Sequence, residues 1–169
     1  MASKGLRKTV DGFELSHSPS HMLRRCVQYA NELFTCENGA RDLTKQQFIV
    51  LAAVEQNEGI SQTDLVALTG IDRSTLAEML RRMIDKGLLN RERIESDQRA
   101  NAVRLGAAGR KALRSARTAS ERVEKTLLSP LSASDRAKFS RMLATIVAAS
   151  DNGQARTIEA RRSTGRRSR

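Results

Sequence analysis

Along most of this chain apolar positions recur at alternating steps of three and four residues, the spacing that gathers side chains on one face of an α-helix. From Ser20 to about Asn38 that stripe is Leu23, Cys26, Val27, Ala30, Leu33 and Phe34. Thr44 and Gln47 have the spacing of a capping box and open a helix through Gln56, whose run from Phe48 to Val54 is apolar throughout and dense enough for burial on several sides. Asn57, Glu58 and Gly59 break it. Ser61 with Asp64, and then Asp72, mark two further helix starts on either side of Gly70, a residue free to take positive φ in a turn. The second of these helices carries Leu76, Met79, Leu80 and Met83 on one side and Ser74, Glu78, Arg81 and Asp85 on the other, flanked by Thr75 and Arg82. With Val66 at its inward offset, Ser61 to Lys86 reads as a helix-turn-helix.

Gly87 stops that helix, and the period changes. LLNRERI, a polar loop ESDQRA and NAVRL predict a two-stranded hairpin with Arg91, Arg93 and Arg104 on its strands and Arg99 at the end of its loop. A hairpin directly after a recognition helix is a winged helix, and its tip is placed to enter an adjacent minor groove, where negative potential attracts arginine. Helical spacing then resumes. Leu113, Ala116, Ser120, Val123 and Leu127 form a packing seam on a helix from Ala107 to Leu128. Pro130 ends it, Ser132 with Asp135 opens another, and Phe139, Met142, Leu143, Ile146 and Val147 give that helix a similar stripe. A winged helix needs neither of these, so with the first helix they predict a dimerisation layer.

The expected fold is therefore mainly α: a winged helix-turn-helix with a two-stranded wing over residues 43–105, and an α-helical dimerisation layer from N- and C-terminal helices over 20–42 and 106–150. Residues 1–19 have no lasting periodicity and read as a flexible arm. Residues 151–169 hold six arginines against Asp151 and Glu159 and almost no large hydrophobe, which predicts a disordered basic tail, either simply solvated or in non-specific contact with phosphates.

Charge narrows the function. Thirty Lys and Arg against 19 Asp and Glu give a formal charge of +11 in 169 residues, which calls for an anionic partner, and nucleic acid is the simplest. One Tyr, four Phe and no Trp argue against a surface that stacks single-stranded bases. The longest apolar run is far too short to span a bilayer and no secretory core follows the N-terminal basic residues, so the expected location is cytoplasmic, with no membrane partner. No phosphate-cradling glycine loop, zinc-protease helix or nucleophile elbow is present, and no enzyme is indicated.

Short hydroxyls near the start of the second helix of the motif and guanidinium groups further along suit base edges and phosphates met together, although any amphipathic helix with a solvated charged face shares the pattern. Glu78 has two possible roles on such a face. It can accept a hydrogen bond from a cytosine amino group, or pair with Arg82 one turn on, with Arg81 also in reach. Cys26 and Cys36 are too few for a disulfide framework, have no metal-ligand spacing and lie about 15 Å apart along one helix. Cys26, within the stripe, is expected to be a small buried hydrophobe, with redox sensing as the minority role. His17 and His21 are four apart, but Pro19 lies between them and no third ligand follows, so neither a metal site nor a cofactor is assigned.

LTKQQFIVL, then ISQTDLVALTGIDRSTLAEMLRRMIDKGLLNRERIESDQRANAVRL, then GAAGRKAL resemble the MarR family of bacterial transcription regulators over about Ser20 to Ser150. The most specific parts are DRSTL, the following GLL and the acidic-x-Arg pattern Asp97-Gln98-Arg99. The resemblance implies major-groove contacts from Arg73, Ser74, Thr75 and the exposed part of that helix, Glu78, Arg81 and Arg82 included. It also implies Arg99 in the minor groove, braced by Asp97 through a charge-assisted hydrogen bond. Gln98 replaces a common second Arg, and Gly106 stands where a Thr often caps the next helix, at slight cost to that cap. The implied function is a homodimeric repressor on a double-stranded, pseudo-palindromic operator, released by a small-molecule effector such as an aromatic acid, a phenol or an acyl thioester. Arg25, Tyr29 and Phe48 are candidate effector contacts. An architectural protein that coats DNA with little sequence preference is the other reading, and a cysteine-based redox regulator a third.

Overall fold

A computed structural model describes residues 14–39, 43–94 and 97–165, with side chains described throughout these except at 93–101 and 151–165. A short 3-10 turn, Leu15–His17, leads into α1, Pro19–Asn38, with Pro19 at a first-turn position where its missing N–H costs nothing. The expected unstructured arm thus gives way to ordered backbone by Leu15. There follow α2 (Lys45–Gln56), β1 (Ile60–Ser61), α3 (Gln62–Thr69), α4 (Arg73–Asp85), β2 (Leu89–Ile94), β3 (Asp97–Leu105), α5 (Ala107–Leu127) and α6 (Ala133–Gly165). No helix among the described residues is long and apolar enough to cross a membrane.

The helix starts are chemically explicit. Thr44 Oγ1 accepts from the Gln47 amide while the Gln47 side chain accepts from the Thr44 amide, completing the predicted capping box. Ser61, Asp72 and Ser132 each accept from the amide three residues on. Gly70 closes α3 at φ 67°, in the left-handed region that a side chain would disfavour, and so turns the chain into α4.

The core lies between α1, α2 and α5 on one side and the helix-turn-helix and sheet on the other. Phe34, Val50, Leu51, Leu65, Leu76, Leu80, Met83, Leu89 and Leu113 are its largest sealed side chains. Each contributes about 1.5–3 kcal/mol by leaving water. The α5 seam is filled within the protomer: Leu113, Ala116, Ala119 and Val123 are buried, and α1 and α5 pack along one another.

Three expectations need correction, and the sheet gains a strand beside the expected two-stranded wing. The sheet has three strands, ordered β1-β3-β2 and antiparallel throughout, because Ile60 and Ser61 pair with Val103 and Ala102; a two-residue strand is too short to show alternation in sequence. The hairpin's ladder extends to Ile94 opposite Asp97 after an irregularity at Arg93/Ile94, so Asp97–Ala100 are strand backbone where polarity predicted loop. Backbone pairing in a hairpin does not require apolar side chains, which is why polarity misled there. Cys26 is exposed, as is Cys36, because the first turns of α1 are not covered within the protomer; Leu23 and Val27 beside it are exposed too. Finally, α6 does not stop near Ser150 but continues to Gly165. The stretch beyond Ser150 has no proline and is rich in Ala, Arg, Gln and Glu, all good helix formers, so low hydrophobicity alone did not end the helix.

A candidate nucleic-acid interface

The site is built on α4. Its apolar side is locked into the core by Leu76, Leu80 and Met83, all fully buried, with Met79 half-buried. That fixes the rotation of the helix and turns Arg73, Ser74, Thr75, Glu78, Arg81 and Arg82 outward, all exposed. Thus all six residues assigned to this helix from the sequence share one accessible face. At its start, Asp72 Oδ1 accepts from the Thr75 amide at 2.9 Å and from Ser74 Oγ at 2.7 Å. Hydrogen bonding from Thr75, then from Ser74, lowers the Asp72 carboxyl to about pKa 2, keeping this cap ionised.

One turn along, Glu78 holds two arginines. Its carboxylate accepts from Arg81 Nη2 at 2.8 Å and Nε at 3.1 Å, a bidentate pair, and from Arg82 Nε at 2.9 Å. Arg81 also reaches Asp85 at 3.2 Å. Hydrogen bonds from Arg81 and then Arg82 bring the Glu78 carboxyl down to about 2. Of the two roles open to Glu78 in sequence, this structure realises the arginine pairing, and with both neighbours rather than Arg82 alone.

The wing stands next to α4. Arg91 is exposed on β2, while Arg104 on β3 is turned to carboxylates, with Nε 2.6 Å from Glu92 and Nη1 3.5 Å from Glu58. Asp97 begins β3 and Arg99 follows on the same strand; the side chains of both lie outside the described residues.

Tertiary structure adds residues that sequence spacing could not offer. A cleft of about 560 Å³ has Thr44, Gln46 and Gln47 from the start of α2 on one wall and Ser74, Thr75 and Arg82 on the other. Only the packing of α2 against the helix-turn-helix brings them together, so no local pattern announces it. Lys45, also unforeseen, turns inward: its side chain is 12% exposed, and its ammonium donates to Ser120 and Glu124 of α5 at 3.1 Å each and lies 5.5 and 5.7 Å over the rings of Phe34 and Phe48. It ties the start of α2 to the helical layer.

The effector candidates lie on α1 and α2. Arg25 and Tyr29 are exposed one turn apart on α1, whereas Phe48 is partly buried with its ring 5.6 Å from that of Phe34. An apolar cleft of about 410 Å³ between the helical layer and the winged helix is lined by Leu43, Leu88, Ala108 and Ala112, with Lys86 and Lys111. No group of three or more His, Cys, Asp or Glu among the described residues is arranged to hold a metal; His17 pairs with Glu14 at 3.1 Å.

A buried-backed helix with an arginine-bearing face, beside a small antiparallel sheet, is a winged helix-turn-helix DNA-binding domain. The MarR family profile matches residues 41–100, the α2-to-wing segment. The transcriptional regulator HosA of Escherichia coli is 34% identical over 129 residues, covering 76% of this chain and 94% of that protein. The PcaV transcriptional regulator of Streptomyces coelicolor, solved in complex with its natural ligand, superposes with a TM-score of 0.75 at 28% identity, over 83% of this chain and 99% of that one. The transcriptional repressor CouR, solved bound to a 23-mer DNA duplex, gives 0.70 at 31% identity, over 82% and 99%. The chain belongs to the MarR family of DNA-binding transcriptional regulators.

Proposed function

We propose that this protein is a homodimeric repressor that binds a pseudo-palindromic operator and is released from it by a small-molecule ligand. The observation that carries the DNA reading is the outward face of α4, held in a fixed orientation by three fully buried side chains. Arg73, Ser74 and Thr75 then meet base edges in the major groove, Arg81 and Arg82 serve phosphates, and Arg99 of the wing enters the minor groove with Asp97 positioning it. The dimer reading is supported by apolar side chains left open on α1 and α6. Ligand release is supported by analogy with PcaV, whose structure holds its natural ligand, and repression by analogy with CouR, a repressor on duplex DNA.

Selection of bound duplexes from a random pool tests this reading. A two-fold dimer presents two equivalent recognition helices, so the expected product is an inverted repeat with half-site centres about one helical turn apart. An asymmetric half-site bound by a monomer excludes the dimer. Unrelated duplex should compete poorly at moderate salt; equal competition would identify an architectural DNA-coating protein instead. On the selected duplex, Arg99→Ala should weaken binding about ten- to a hundredfold, and Asp97→Ala less, with both proteins folded.

A further inference from the structure

We propose that Asp72 fixes the polarity of Ser74 at the start of α4, so that on the operator the Ser74 hydroxyl accepts a hydrogen bond from the exocyclic amino group of an adenine or cytosine in the major groove. This deepens the DNA reading proposed above and rests on it. A serine hydroxyl can ordinarily donate or accept, so a serine contact with a base edge carries little sequence information by itself. Here the proton is already committed.

The commitment is geometric. Ser74 Oγ lies 2.7 Å from Asp72 Oδ1, and the same carboxylate oxygen accepts the Thr75 amide at 2.9 Å, so the helix cap holds the acceptor in place before any DNA arrives. The Asp72 carboxyl, lowered to about 2, is ionised at neutral pH and has no proton to give, which makes Ser74 the donor of the pair. A hydrogen bond to an ionised acceptor is stronger than one between neutral groups, so turning the Ser74 proton to a base oxygen would exchange a stronger bond for a weaker one. Ser74 is exposed, and among the described residues its Oγ makes no other hydrogen bond; its lone pairs stay open.

The starts of α3 and α6 use the same two residue types in the opposite order. Ser61 and Ser132 each donate to a carboxylate three residues on, Asp64 and Asp135, at 2.6 Å, and each accepts that residue's amide, at 3.1 and 3.2 Å. Donor and acceptor sides of those hydroxyls are both used within the helix start. In α4 the carboxylate is the cap and the serine lies two residues on, inside the helix, with its acceptor side unused.

The rest of the face leaves this role to Ser74. The Glu78 carboxylate already accepts from Arg81 and Arg82. Arg73, exposed and without an ion pair among the described residues, offers a guanidinium that matches the acceptors of guanine. Adjacent positions at the start of α4 therefore present a donor, Arg73, and an acceptor, Ser74. The charge of Asp72 is tolerated on a face that meets phosphates because it sits at the positive end of the α4 dipole.

The test uses the full chain and the duplex recovered by selection. Ser74→Ala should weaken binding about five- to tenfold and relax preference at one base pair of each half-site, which locates the contact. If it binds the unmodified duplex as tightly as the parent, there is no bond to Ser74 and the inference falls. At the located pair two kinds of modified duplex are compared. N6-methyladenine or N4-methylcytosine keeps the pairing hydrogen and removes the amino hydrogen that faces the major groove; 4-thiothymine with 7-deazaadenine, or 6-thioguanine with 7-deazaguanine, weakens the acceptors instead. Methylation is expected to cost the parent about five- to tenfold and Ser74→Ala less than about twofold, and the acceptor changes should cost the parent less than about twofold. Sensitivity to the acceptor changes with indifference to methylation overturns the proposal. Asp72→Gly removes the carboxylate but leaves a tolerated cap, with circular dichroism checking the helix. Its penalty for methylation should shrink, because the Ser74 proton is then free to turn, whereas Asp72→Asn, whose amide oxygen still accepts from Ser74, should retain it. An undiminished penalty in Asp72→Gly shows that Asp72 does not set the polarity and overturns the proposal. Arg73→Ala separates this inference from the reading beneath it: altered preference at a second base pair, without methylation sensitivity at the first, sinks the inference alone. No change of preference in either Arg73→Ala or Ser74→Ala sinks base reading by α4 as well.

Discussion

In α4 the apolar stripe Leu76, Leu80 and Met83 is sealed inside the protomer, whereas in α6 Met142, Ile146 and Val147 stand more than half exposed, Ile146 at 58% and Val147 at 59%. Both stripes follow helical spacing, so periodicity does not separate them. What separates them is the presence of partners: α4 packs on α3 and on β2, whereas the described part of α6 leaves these side chains open. The winged helix closes its own core and can present a fixed face to DNA. The helical layer leaves apolar side chains open on α1 and α6, the surface that a second copy would cover in the proposed dimer. Between the extremes, α1 belongs to both regions: Phe34 is buried and Leu33 half-buried near its end, but Val27 is 61% exposed.

The sharpest way to break this contrast is to place a charge on the open stripe. In Ile146→Lys two copies would each bury an ammonium without a partner, a cost of several kcal/mol. The expected result is a folded monomer by sedimentation, with operator affinity reduced because only one half-site can be held. A dimer of unchanged stability would show that α6 is not at the interface. Leu80→Ala probes the closed side. It removes a fully buried side chain and leaves a cavity, so chemical denaturation should show a loss of about 2–5 kcal/mol. Gly109→Ala comes next. Its methyl group would meet the Leu88 carbonyl at 2.0 Å, backbone that can move only by shifting α5 against the wing's root, and about 1–3 kcal/mol should be lost.

That glycine shows where sequence reading reached its limit. Gly106, seen along the chain, is only a weaker helix cap, yet a Cβ there would lie 2.2 Å from the Gly87 carbonyl: the residue matters because two distant backbones meet. The same holds for Lys45 between two phenylalanine rings, and for Thr44, Gln46 and Gln47 beside α4. Helix starts and the α4 face were legible because capping and 3.6-residue spacing are local. The third strand, the exposed Cys26 and the cleft lining were not, because each depends on which elements pack together. Thr44→Ala is a modest test of the legible kind: loss of its side-chain bond to the Gln47 amide should cost about 1 kcal/mol, measured by thermal or urea unfolding.

The smallest effect on folding, and the most informative for recognition, belongs to Glu78. Hydrogen bonds from Arg81 and Arg82 lower its pKa from 4.5 to about 2. A carboxyl whose pKa falls on folding binds its proton more readily in the unfolded chain, so its contribution is present above pH 4.5 and is lost as pH falls from there toward 2. Asp72, lowered from 3.8 to about 2, loses its contribution over nearly the same interval. Glu78→Gln should therefore flatten this acid-side loss while changing stability little at neutral pH, where the pair is exposed to water. Its effect on DNA distinguishes bracing from reading. With the carboxylate gone, Arg81 and Arg82 lose their shared acceptor, and affinity should shift alike across a panel of operators differing at single base pairs. A change confined to one base pair would mean that Glu78 leaves its arginines on binding and reads a cytosine.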